Sequence, residues 1–200
     1  MKKTLLLLAS LSLFATQSNA VVLSFDDIPG VSVHKPYIPG VSIDKPYGNM
    51  PTYKGFTFSS ALTWDYAERY PGAYSGDFAL YNTVPGIITE ENGADFRFDG
   101  LWAKYWDTPK NSGGVDISGG TVQGYKNDVQ IWSVYSGLNG SYKYFGAQTG
   151  LIDELRLNFG ANFLFDDINV SPVPEPSSIA LMLGGLGLVG FMAARRAKKV

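Results

Sequence analysis

The chain contains no cysteine and one histidine among its 200 residues. Without cysteine there is no disulfide framework, so an exported domain of this sequence must be held together by packing. The same absence removes every thiol nucleophile, and a lone imidazole cannot supply the clustered histidines of a catalytic zinc. That residue, His34, sits in a duplicated segment whose second copy carries Asp44 at the equivalent place. A triad or ligand position would not vary in that way. No glycine-rich phosphate loop joins a strand to a helix, because the glycines of "NSGGVDISGG" (Asn111 to Gly120) fall in turn-like sequence. Between Val21 and Val173 no stretch keeps a 3.6-residue apolar period for ten residues, which argues against a helical domain.

What is present is clearest at the two ends. "MKKTLLLLASLSLFATQSNA" places Lys2 and Lys3 before an apolar run from Leu5 to Ala15, then Ser18-Asn19-Ala20. A basic start, a short apolar stretch and a small-x-small site read as a signal peptide over 1–20, too short to span a bilayer. At the other end, Ser177 to Ala194 carries no charge and would be about 27 Å long as a helix, near the lower limit for a transmembrane segment. Arg195, Arg196, Lys198 and Lys199 follow directly. Basic residues stay on the cytoplasmic side, so the expected topology is one C-terminal inner-membrane helix over about 177–194 with the preceding domain outside the cytoplasm.

The order Val-Pro-Glu-Pro (Val173 to Pro176), a glycine-dotted apolar helix and a basic cluster resembles the PEP-CTERM sorting signal of exported Gram-negative proteins. The resemblance covers about 172–200. It implies Pro174, Glu175 and Pro176 as the sorting motif, Arg195 and Arg196 as the stop, and an exosortase-type membrane enzyme as partner. It further implies transient anchoring in the inner membrane and delivery to the cell surface or an extracellular matrix such as that of a biofilm.

The expected ectodomain is 21–171. It holds ten basic and seventeen acidic residues, a net charge near −7 that disfavours nucleic acid as a partner. Its segment 29–48 is a tandem repeat, "PGVSVHKPYI" followed by "PGVSIDKPYG", too proline-rich for helix and read as a surface loop. Beyond it, Phe96 and Phe98, and Leu155, Leu157 and Phe159, recur at every second position between glycine-, asparagine- and proline-rich breaks. The expected fold class is all-β, an antiparallel β-sandwich or jelly roll. "YKGFTF" (Tyr53 to Phe58) and "FLFDDINV" (Phe163 to Val170) are similar to pieces of ectodomains attached to this sorting signal, which resemble carbohydrate-binding jelly rolls.

Two features point to chemistry. Phe-Asp-Asp-Ile occurs at Phe25–Ile28 and again at Phe165–Ile168. If first and last strands are neighbours, Asp26, Asp27, Asp166 and Asp167 meet, and a structural Ca²⁺ would relieve their repulsion; the plainer reading makes each pair a strand terminator. The second feature is "TWDYAERYPGAYSG", where Trp64, Tyr66, Tyr70 and Tyr74 interleave with polar residues. Rings beside carboxylates and amides suit an extracellular polysaccharide, and of Trp64, Tyr66, Tyr70, Tyr74, Trp102, Tyr105, Trp106, Trp132, Tyr135, Tyr142 and Tyr144 two or three are expected to be exposed for it, the rest being core. Catalysis is not expected. A glycan-active enzyme needs two facing carboxylates, and Glu90, Glu91, Asp153 and Glu154 are neighbours in sequence that point to opposite sides of a strand.

Overall fold

The computed structural model describes residues 19–31, 47–67, 72–82, 84–106, 113–160, 162–173 and 183–191. Ala20–Val173 forms one compact unit, separate from the unit of the terminal segments. Among the described residues it has twelve strands, β1 Val21–Leu23, β2 Tyr47–Asn49, β3 Phe56–Phe58, β4 Leu62–Tyr66, β5 Phe78–Asn82, β6 Gly86–Glu90, β7 Phe96–Tyr105, β8 Ser118–Lys126, β9 Val129–Leu138, β10 Lys143–Gly146, β11 Glu154–Phe159 and β12 Phe163–Pro172. They form two antiparallel sheets, one in the order β10-β7-β12-β5-β4-β2 with β1 also on β12, the other β3-β6-β11-β8-β9.

Alternation explains the layering. Phe96 and Phe98 of β7 and Leu155, Leu157 and Phe159 of β11 are all buried, as the two-residue period requires. The sheets face each other across one core, with Phe56 on Phe96 at 5.3 Å and Phe159 on Phe165 at 5.1 Å between ring centres. Edge-to-face aromatic contact of this kind adds to the area that the rings bury. The result is a β-sandwich. Short turns set the register. Asn127 and Asp128, both at positive φ, join β8 to β9 as a two-residue hairpin turn whose twist matches the strands.

Strand β12 departs from simple alternation at one place. Phe163 and Phe165 point inward, and so do Ile168 and Val170, which means that one extra residue lies between the pairs. The register against β7 shifts there, and Asp167 has φ 44°. At the same place the other edge of β12 changes partner, from β5 along Phe163–Phe165 to β1 along Ile168–Val170. The second Asp-Asp pair is thus a bulge inside a central strand.

Outside this unit, 183–191 is helical and carries exposed Leu183, Leu186, Leu188, Val189 and Phe191. Among the described residues no helix is long and apolar enough to cross a membrane. The remainder of the 177–194 span lies outside the described residues, as do Pro174, Glu175, Pro176, Arg195 and Arg196, residues 1–18 of the signal peptide and 32–46 of the repeat.

Phe165 lies at the centre of the core, fully buried. Its replacement by alanine should cost about 3–5 kcal/mol of unfolding free energy in a urea titration. Val129→Ala, on an exposed strand position, should cost less than about 0.5 kcal/mol.

Candidate functional site

The first and last strands do pair, with Leu23 opposite Ile168, and this brings both Asp-Asp segments beside the bulge of β12. Three of the four carboxylates then act on a single piece of chain, 75–78. Asp166 Oδ2 accepts the main-chain N–H of Ser75 at 3.0 Å, and Asp167 Oδ1 accepts the Ser75 hydroxyl at 2.9 Å. Asp26 Oδ1 accepts the N–H groups of Asp77 and Phe78 at 2.8 and 3.2 Å. Gly76 is required here, since a β-carbon would stand 2.0 Å from Asp26 Oδ2.

Asp27 goes elsewhere. Its carboxylate accepts the Tyr53 hydroxyl and lies 3.2 Å from the Lys54 ammonium. That hydrogen bond, with Lys54 beside it, holds the Asp27 carboxyl below its ordinary range. The four-carboxylate cluster expected from the sequence is therefore not assembled. Beyond β1 the chain turns, with Phe25 at φ 64°, and Asp26 and Asp27 leave that turn towards different partners. Among the described residues no three acidic or histidine side chains are gathered so as to hold a metal ion.

Asp166 is the unusual member. It is fully buried, and burial pushes its carboxyl up to about 8, with the charges of Asp167 and Asp26 adding and the Ser75 and Asp167 amides opposing. Across the sheet it stands opposite Trp102 of β7. Lys104, two residues further along β7, is likewise buried, its ammonium 5.9 Å from the centre of the Tyr142 ring. Burial also raises the Tyr142 hydroxyl, which donates to the Gly72 carbonyl at 3.0 Å.

These groups lie on the face of the first sheet turned away from the core. A small second cluster of Ala67, Ala73, Ala79 and Leu164, with Tyr81, Trp106 and Tyr142 against it, seats the chain around 72–78 on that face. The segment delivers Tyr74 onto Trp102, ring planes 13° apart and centres 4.1 Å apart. Trp102 in turn meets Tyr144 of β10 at 5.1 Å, and Tyr142 abuts Tyr74 edge-on at 5.4 Å. Tyr74 is 36% and Tyr144 51% exposed. The Tyr144 phenol rests over Gly100, where a β-carbon would lie 2.1 Å from its oxygen, and donates to the Asp99 carbonyl at 3.0 Å. Tyr74, Trp102 and Tyr144 form a row of rings reachable from solvent.

Of the four aromatics singled out in the sequence, only Tyr74 belongs to this row. Trp64 and Tyr66 are buried, in the core with Phe78, and Tyr70 lies outside the described residues. The segment taken for an irregular loop begins as β4, where Leu62, Trp64 and Tyr66 alternate inward. The intervening Thr63 and Asp65 face the other way, and Asp65 accepts the Trp106 indole N–H at 3.1 Å. Trp102 and Tyr144 were signalled by the same rule, since Leu101, Ala103 and Phe145 beside them take the core positions.

The acids with glycosidase-like residue types belong to the other sheet and its turns. Glu90 accepts the amides of Asn92 and Ala94 at 2.7 and 3.1 Å. Glu154 is paired with Arg156, and Asp153 accepts the Asn127 amide at 2.8 Å with Lys126 at 3.9 Å. Each is occupied in shaping a turn or neutralising a cation.

Two solved structures show distant likeness. One is the C-terminal family 22 carbohydrate-binding module of Clostridium thermocellum Xyn10B, 13% identical with a TM-score of 0.35, covering 61% of this chain and 89% of that one. The other is TmCBM61 in complex with β-1,4-galactotriose, 12% identical with a TM-score of 0.33, covering 61% and 90%. Likeness at this level assigns no ligand to the present chain. No curated protein sequence matches it. Residues 172–197 match the family model of the PEP-CTERM protein-sorting motif, so this chain carries the sorting signal of an exported protein that an exosortase, a membrane enzyme, processes.

Proposed function

We propose that the Ala20–Val173 unit is a glycan-binding component of the cell surface or extracellular matrix, held in the inner membrane by its tail until exosortase releases it. The row Tyr74–Trp102–Tyr144 carries the reading. Exposed rings offer flat apolar faces to the C–H side of a sugar, while neighbouring hydroxyl and carbonyl groups meet its hydroxyls. The negative charge of the domain favours a neutral polysaccharide over a polyanion. Binding without catalysis is the proposal, because Glu90, Asp153 and Glu154 are engaged on the opposite sheet. The basic end of the tail stays in the cytoplasm and the apolar stretch before it crosses the membrane in this scheme.

We further propose that the counter-charge at the Asp26–Asp166–Asp167 end is a proton on Asp166, in place of the calcium ion that four carboxylates would have demanded. Both Asp166 oxygens and Asp26 Oδ1 already accept main-chain amides, and Asp167 Oδ1 accepts the Ser75 hydroxyl. Folded protein keeps this proton to about pH 8, whereas the unfolded chain releases it near 3.8. Between those values the folded state binds the extra proton, so its contribution to stability falls as pH rises.

Affinity electrophoresis in gels containing soluble exopolysaccharide from the producing cells tests the ring row. Trp102→Ala and Tyr144→Ala should each weaken retention at least tenfold, about 1.4 kcal/mol, while near-UV circular dichroism shows an intact fold. Retention equal to the parent in both variants would remove the glycan site. Thermal melts of EDTA-treated protein should show stability dropping from pH 5 to pH 9, a slope that Asp166→Asn flattens. Millimolar Ca²⁺ should leave the pH 6 melt unchanged, and a rise of several degrees would place an ion where the proton is proposed.

A further inference from the structure

One sheet edge is unlike the others. β9 closes the second sheet, and among the described strands only β8 pairs with it. It is ten residues long, VQIWSVYSGL, without proline and without a charged side chain. Natural edges are usually blunted by brevity, lysine or proline, because a row of free N–H and C=O groups recruits further strands. The remaining sheet ends follow that rule. β2 and β3 have three residues each, and β10 has four and carries Lys143.

The β9 edge has one interruption. Its register against β8 shifts between Gly124 and Tyr125, opposite Gln130 to Trp132, which leaves Trp132–Leu138 paired evenly with Ser118–Gly124. The even run is centred on Tyr135, the most exposed of the strand's large hydrophobic residues at 71%. Inward, the Trp132 ring lies on Phe98 at 5.3 Å and fixes the strand to the core. Outward, Thr121 and Gln123 of β8 are uncharged neighbours of Tyr135 and Ser133.

We infer that this edge joins two copies of the chain, β9 to β9, antiparallel about a two-fold axis at Tyr135. Two arguments select a second copy as the occupant. A two-fold rotation sets an antiparallel strand's donors and acceptors against their own complements, so the copy supplies its partner surface without any further feature. Two domains that each carry about −7 also repel over most of their surfaces, and β9 approaches at least electrostatic cost, because it bears no charged side chain and the Lys143 ammonium that donates to its Gly137 carbonyl at 2.7 Å is neutralised by Asp116. Around the axis, Tyr135 faces Tyr135, Ser133 faces Gly137 and Trp132 faces Leu138. Cross-strand aromatic pairs of this kind stabilise antiparallel neighbours. The two second sheets then run on as one ten-stranded sheet, and the glycan-facing sheets of the two copies remain uncovered.

The absence of cysteine makes the test clean. In the full chain purified in detergent, Tyr135→Cys should form a covalent dimer in air, well above the level reached by Val115→Cys, a loop position that is 88% exposed. Sedimentation should show the parent chain as a dimer of the 21.7 kDa protein. Tyr135→Lys, which sets two cations opposite each other on the axis, should weaken that dimer at least tenfold with an unchanged near-UV spectrum. A monomer throughout the micromolar range, a dimer that Tyr135→Lys leaves intact, or equal cross-linking at positions 115 and 135 would each overturn the inference.

Discussion

Strand β12 pairs along one side with β7 and along the other first with β5 and then with β1. Every other element of the first sheet is placed by that arrangement. It joins the beginning of the domain to its end, it buries Phe163, Phe165, Ile168 and Val170 against the second sheet, and it does so with no covalent cross-link available. The cost is a bulge where one partner replaces the other, with Asp167 in a left-handed backbone conformation and Asp166 buried. A buried carboxyl is tolerated where hydrogen bonds satisfy it. Here main-chain amides do so, and one of them belongs to the segment that crosses the outer face.

The exposed ring row follows from the same bulge. Asp166 stands opposite Trp102 and accepts the Ser75 amide, so the strand that organises the sheet also sets Tyr74, the neighbour of Ser75, upon Trp102. Asp26, in the turn beyond β1, holds the amides of Asp77 and Phe78. The surface proposed to meet glycan is therefore built on strands and tied down at a loop by three carboxylates, which makes it a rigid surface. Rigid rings lose little entropy on binding. The tail contributes delivery alone, and nothing in the sorting motif specifies what the domain binds.

Much of this was legible in the residues, and the failures have physical causes. The tail motif is contiguous, so its signal does not depend on folding. The sandwich was legible from the inward series at Phe96 and Phe98 and at Leu155, Leu157 and Phe159. The duplicated Phe-Asp-Asp-Ile pointed correctly to neighbouring first and last strands, because its Phe and Ile are core residues at both places. Its four aspartates were less legible, since only the backbone geometry shows that Asp27 turns to Tyr53 and Lys54. Trp64 and Tyr66 were misplaced because indole N–H and phenol groups give a core-facing run the look of a polar loop. Their spacing with Leu62 is two residues each, a strand signal that residue type obscured. Trp102 and Tyr144 become visible once Leu101, Ala103 and Phe145 are assigned inward, and that assignment needs Gly100, where β7 changes phase at φ 140°.

Residue-resolved amide hydrogen exchange on the full chain tests the central claim that β12 is both the spine of the sheet and the anchor of the ring-bearing segment. The account predicts the slowest exchange within Phe163–Val170. It also predicts clear protection at Ser75, Asp77 and Phe78, with Ser75 alone among those three losing protection in Asp166→Ala. Exchange at Ser75 as fast as at Val115 in its exposed loop, or slower exchange in β9 than in β12, would contradict it.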